Sequence, residues 1–257
     1  MLGPRLISEW KKATTSIAWW AVGALIVAAN VLVTGFFTFV GLNVERSPID
    51  VTAPDSVSMF LTVGVAFSFI LPLILGMLII NLEFSNNTII YSFLGNPRRG
   101  GLYLAKLVTC AVSTMLFSVV FALLSLAVVA GLLSSSAESA AVLTGQTSGT
   151  LLSIVLVSAL LGVIGGALGA LITKPLLAIV LIILWSQVIE PILRIAAPAE
   201  AQGYLPSSLI DASLGGGFLG QMFNSEQLPQ SLALGIILAV AVILGVLGGV
   251  KYTRKEV

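Results

Sequence analysis

Long stretches of this chain carry no charge, and their length is the strongest constraint on what it can fold into. No Asp, Glu, Lys or Arg stands between Lys12 and Glu45, Asp55 and Glu83, Lys106 and Glu138, Glu138 and Lys174, Lys174 and Glu190, or Glu226 and Lys251. Each window holds most or all of an apolar helix of about 20 residues, the length that crosses a bilayer. Lipid offers the backbone no hydrogen-bond partner, so such windows read as helices, which bond internally. They predict six transmembrane spans, roughly 17–40, 57–80, 104–132, 150–172, 176–195 and 230–250. Composition agrees: 58% of the residues are hydrophobic and 9% charged, where a soluble domain is charged at about a quarter of its positions. The expected fold class is all-α integral membrane, a single transmembrane domain over residues 1–257.

Six spans put both termini on one side. That side collects Arg5, Lys11, Lys12, Arg98, Arg99, Lys106, Lys174, Lys251, Arg254 and Lys255. The other holds only Arg46 and Arg194, beside Glu45, Asp50, Asp55, Glu138, Glu190, Glu200, Asp211 and Glu226. Basic residues stay in the cytoplasm, so both termini are expected there. The first apolar run is too long for a removable signal peptide, and Gly41 to Asn43 is a poor cleavage signature.

Residues 1–16 carry Leu2, Leu6, Trp10 and Ile17 at helical spacing, with Arg5, Glu9 and Lys12 around the other sides. This predicts an amphipathic helix on the inner membrane surface; a simple basic anchor is the plainer reading. The last external loop, 196–229, contains the moderately apolar "YLPSSLIDASLGGGFLGQMF", which either lies in the outer interface or dips back into protein as short helices. Gly162 with Gly166, Gly165 with Gly169, and Gly245 with Gly249 recur at a spacing of four, which lets helices approach closely, within one chain or between two.

Several chemistries are excluded. There is no histidine, so imidazole catalysis and imidazole metal ligation are absent. Cys110 is the only cysteine and falls in a predicted span, so no disulfide forms within the chain. "GALITKP" lacks the second glycine and the Ser/Thr of a nucleotide-binding loop. The chain reads as a non-enzyme. Glu190, the one acid inside an apolar run, stands four residues before Arg194. The two read as a helix-end ion pair or as part of a translocation path.

The polar residues concentrate in "NLEFSNNTIIYSFLGNPRRGGLYLAKLV", Asn81 to Val108. Glu83, the acid near this inner helix end, reads as standing alone. A helix over 82–94 places Ile89, Ile90, Phe93 and Leu94 on one side, with Glu83, Asn86 and Asn87 largely elsewhere. Asn96–Pro97 then ends it, and Arg98, Arg99 and Lys106 mark the return to lipid. The segment fits either a socket on a soluble partner or an ordinary basic loop that fixes topology.

In their order, Glu83, Asn87–Thr88, Pro97–Arg98–Arg99 and Lys106 resemble the first cytoplasmic loop of type-2 ABC exporter permeases. The N-terminal amphipathic segment, "VIEPIL" at Val188–Leu193, "YLP" at Tyr204–Pro206 and the terminal "YTRKEV" agree. Asn87 stands where that family usually has glycine, and "ITKPLLAI" departs from its more polar linker. The resemblance implies a half-transporter in a bacterial plasma membrane. Its coupling helix, about Glu83–Leu94, would dock on a separate ABC ATPase subunit through Glu83, Asn87, Thr88, Ile89, Ile90, Phe93, Leu94, Pro97, Arg98 and Arg99. It further implies a second permease, identical or related, and an amphipathic cargo: an antimicrobial peptide, an antibiotic or a lipid-like molecule. ATP and magnesium would belong to the ATPase; this chain would hold no cofactor and bind no nucleic acid. Two other classes remain open, an ion-coupled secondary transporter and a non-transporting scaffold or sensor partner.

Overall fold

The computed structural model describes residues 3–44, 56–85, 99–134, 145–215, 218 and 228–254. The described elements are α1 (Gly3–Thr14), α2 (Ile17–Asn43), α3 (Ser56–Ser68), α4 (Ile70–Ser85), α5 (Arg99–Ser134) and α6 (Gly145–Leu171). After them come α7 (Pro175–Leu184), a π-helical turn (Trp185–Ile189), α8 (Glu190–Ala196), α9 (Ala199–Gln202), α10 (Pro206–Leu214) and α11 (Gln230–Arg254). Five helical runs are long and apolar enough to cross a membrane: α2, α5, α6, the run Pro175–Ala196, and α11. The bent pair α3–α4 makes a sixth when counted as one. The protein is a multi-pass α-helical membrane protein.

Side-chain neighbours give the directions of the helices. Trp19 bonds to Ser113, Gly23 abuts Phe117 and Gly35 abuts Val128, so α2 and α5 run parallel. Gly165 meets Leu73 and Gly169 meets Met77, so α4 and α6 run parallel as well. Gly162 meets Thr114 and Gly166 meets Cys110, so α5 and α6 are antiparallel. The α3–α4 pair therefore carries the chain back along the bundle between α2 and α5.

Prolines account for both irregular crossings. The sequence predicts one span over 57–80, and the structure has two helices there, bent by 47° between Ser68 and Ile70. Pro72 has no N–H for the Ser68 carbonyl, and its ring crowds that carbonyl. Ser68 Oγ also donates to the Gly64 carbonyl at 2.7 Å, a local bond that helps bend helices. In the run Pro175–Ala196, Pro191 cannot bond to the Gln187 carbonyl. The turn before it widens, and the Glu190 N–H reaches the Trp185 carbonyl five residues back. Elsewhere proline starts helices, as Pro175 of α7 and Pro206 of α10, where no N–H is required.

The helices pack by small residues, as hydrocarbon solvent favours. A Cβ on Gly165 would lie 2.0 Å from the Leu73 carbonyl oxygen, and one on Gly76 would lie 2.1 Å from the Gly162 oxygen. Gly165 and Gly169 thus seat α6 on α4, while Gly162 and Gly166 seat it on α5. All four contacts are within one chain. In α11 the close approach is at Gly248, beside the Tyr103 hydroxyl and the Ala167 backbone. Gly249 touches the Tyr103 ring, whereas Gly245 is loosely spaced, its nearest neighbour 3.9 Å away. Within the segment 196–229, expected from the sequence to be external, α10 packs against α3 and α11, and a left-handed Gly215 (φ 72°) ends it.

Gly165→Ala should destabilise the protein by about 1–3 kcal/mol, because the new methyl meets backbone that cannot move aside. Gly131→Ala, where nothing lies within 4 Å, should be neutral or slightly stabilising. Thermal unfolding of both variants in the same detergent checks the contrast.

Candidate functional site

The structure gathers charge from three separate stretches of sequence at one end of the bundle. Lys106, near the start of α5, is fully buried. Its ammonium lies 2.5 Å from Glu9 Oε2 of α1 and 2.7 Å from Glu83 Oε1 at the end of α4. Lys12 of α1 reaches the same two carboxylates, at 2.7 Å for Glu9 and 3.1 Å for Glu83. The four residues form a closed ring of two cations and two anions, neutral as a set. A buried charge survives only when paired and hydrogen-bonded, and here each ammonium touches both acids. Burial draws the Lys12 ammonium toward neutrality, yet the adjoining carboxylates outweigh this and hold it above its ordinary range.

Glu83 therefore does not stand alone, as its sequence neighbourhood suggests. Its partners lie 71 residues before it and 23 after it, on other helices. The prediction for α1 also changes. Glu9 and Ala13 are its buried residues, with Trp10 and Leu6 partly covered. Ile17, expected on the same apolar face, is exposed and opens α2, because the chain turns at Thr15–Ser16. Trp10 packs edge-on against Trp19, 5.9 Å between ring centroids, and Trp19 leans on Phe117. The Trp19 indole N–H donates to Ser113 Oγ at 2.9 Å. This aromatic seat holds α1 on α5, so the polar face of α1 turns inward to meet Lys106.

Other basic groups share this end. Arg99 donates to the Thr253 carbonyl at 3.3 Å, and Lys251 to the Leu171 carbonyl at 2.6 Å. These bonds tie the start of α5 to α11, and α11 to the end of α6. The described chain stops at Ser85, two residues after Glu83, and resumes at Arg99, the first residue of α5. Asn87, Thr88, Ile89, Ile90, Phe93, Leu94, Pro97 and Arg98, expected to form the coupling helix with Glu83 and Arg99, lie outside the described residues.

A second polar cluster occupies the opposite end. Glu190 and Arg194 are both buried and 3.7 Å apart. Glu190 Oε1 accepts the Ser207 backbone N–H at 2.8 Å and the Ser207 hydroxyl as well. Arg194 donates to Ser207 Oγ at 2.6 Å and Ser208 Oγ at 2.9 Å. The carboxylate thus satisfies a free amide in the first turn of α10, where negative charge is also favoured by the helix dipole. Asp211, assigned by its sequence to an external loop, is fully buried on α10 close to Arg194. Nothing local in the sequence marks it as buried; only the return of α10 into the bundle does so. Among the described residues, no group of three or more His, Cys, Asp or Glu side chains is placed to hold a metal ion.

No known protein-family model matches the sequence, and comparison with curated proteins finds no match.

Lys106→Met should destabilise the protein by about 3–5 kcal/mol, the usual cost of leaving buried charges without a partner. Lys12→Met removes a half-exposed cation and should cost about 1 kcal/mol or less. Adding Glu9→Gln to Lys106→Met should restore part of the loss. Chemical or thermal unfolding of the three variants in one detergent measures this order.

Proposed function

We propose that this chain is the membrane subunit of an ATP-driven exporter, moved by a separate ATP-binding-cassette ATPase that docks on segment 86–98. The observation that carries this reading is the charge ring of Glu9, Lys12, Glu83 and Lys106. It joins the surface helix, the end of α4 and the start of α5 at the root of that segment. A lever transmits force only when its base is stiff, and close-packed elements with two discrete arrangements amplify small displacements. Pulling on 86–98 would move α4 and α1 together. The basic residues gathered at this end favour the cytoplasm as its location, where an ATPase would be. Asn87, Thr88, Ile89, Ile90, Phe93 and Leu94 would meet the ATPase, with Pro97, Arg98 and Arg99 closing the segment. ATP and magnesium would be bound by that partner. A second permease would complete the path for an amphipathic cargo.

An ion-coupled carrier would place ionisable groups midway along its bundle. The described ones cluster at the two ends, which favours the first reading.

Tagged protein purified in mild detergent from its source organism should retain an ATP-binding-cassette ATPase. Thr88→Pro combined with Ile89→Asp should release that ATPase and leave thermal unfolding unchanged. Recovery of no such ATPase, or equal recovery with the variant, would sink the proposal. Topology is checked separately: buried Cys110 leaves the background low. Arg98→Cys should react with an impermeant maleimide only after the cells are permeabilised.

A further inference from the structure

The two proline faults meet at one cavity. Phe69 lies in the break that precedes Pro72; Trp185 and Ser186 lie in the π turn that precedes Pro191. With Leu73, Leu181 and Ile237 among others, they line a partly open cavity of about 350 Å³. It touches neither charge cluster.

Its floor is buried, with Leu161, Ile210 and Ile237 each no more than 5% exposed. Its exposed rim is formed by Leu181 and Trp185 of the run Pro175–Ala196 and Val240 of α11, which are 43%, 42% and 39% exposed. Among the lining side chains only Ser186 and Trp185 carry a polar atom. The Ser186 hydroxyl is already bonded to the Ile183 carbonyl at 3.3 Å. A buried water requires about two to four polar partners, and this wall does not supply them. Cavities of roughly 150 Å³ walled by Leu, Ile and Phe stay dry and take up benzene; this one is more than twice as large. The helix that carries Leu181 also exposes Leu177, Val180, Ile183 and Leu184, and its run is apolar enough to cross the bilayer. Lipid hydrocarbon is therefore the medium at the entrance, and it matches the wall in chemistry.

We propose that this cavity is a binding site for one acyl chain of a phospholipid from the surrounding bilayer, entering past Leu181 and Trp185 on one side and Val240 of α11 on the other. A chain seated there contacts the bend of α3–α4 and the π turn at once. It fills the space that both proline faults leave and ties their geometries together. The site stands independently of any ATPase partner.

The test uses the full chain in phosphatidylcholine vesicles doped with a phosphatidylcholine carrying a diazirine midway along one acyl chain. After irradiation, peptide mapping should find adducts at Ile210 and Ile237, which bulk lipid does not reach. Leu181→Trp narrows the mouth from an exposed position and should cut those adducts at least tenfold. Labelling at outward-facing Leu176 and Ile243 should persist and report normal insertion. Ala178→Phe, which fills the cavity from a buried position, should act likewise; if it fails to fold, Leu181→Trp carries the test. Adducts confined to Leu176, Ile243 and similar surface positions would overturn the proposal. So would undiminished labelling of Ile210 and Ile237 in Leu181→Trp. Labelling of the floor by a free diazirine fatty acid, but not by the phospholipid, would also overturn it.

Discussion

Hydrocarbon as solvent is the constraint on which the rest of this structure depends. It removes the usual drive to hide apolar side chains, since lipid is as apolar as the core. Helix α5 shows the consequence. Its buried stripe contains Ala105, Lys106, Thr109, Cys110, Ser113, Thr114, Ser118, Ala122 and Ser125, while Leu104, Val108, Leu116, Leu123 and Leu124 face outward. Small and polar groups turn inward because there they find contacts and hydrogen bonds. The glycines of α6 follow the same logic, trading side-chain volume for backbone contact with α4 and α5.

The same solvent explains the form of the charge ring. Isolated ions this deep would shift their protonation or draw in water, whereas four alternating charges satisfy one another. Such a ring adds little net stability over an apolar equivalent, because desolvation offsets much of the attraction. Its value is specificity of arrangement: the ring closes only when α1, α4 and α5 sit in one mutual position. The tryptophan contacts bring α1 near that position, and the ion pairs select its rotation. At the opposite end Glu190 and Arg194 do comparable work for α10, pinning its first turn to α8.

Two helical runs depart from regular α-helix: α3–α4 bends ahead of Pro72, and a π turn runs up to Glu190 and Pro191. Phe69, Trp185 and Ser186 from these two places border a common apolar space. Motion imposed at Glu83 would pass along α4, held against α6 by glycine contacts, before it reached the bend.

Much of this was legible in the sequence because the bilayer fixes helix length and forbids isolated charge. The uncharged windows mark the helical runs, and the spaced glycines of α6 mark its close contacts; the bend ahead of Pro72 and the π turn ahead of Pro191 were not read from the sequence. Glu190 and Arg194 were visible as a pair because helical geometry alone brings residues four apart together. What the tertiary structure decided is which distant groups meet. Glu83 looked solitary, Glu9 looked like the solvated side of a surface helix, and Asp211 looked like a loop acid. Each became buried through contacts between elements far apart in the chain. Local periodicity carries no record of such contacts, because the energy of a charge depends on the partners that packing places around it.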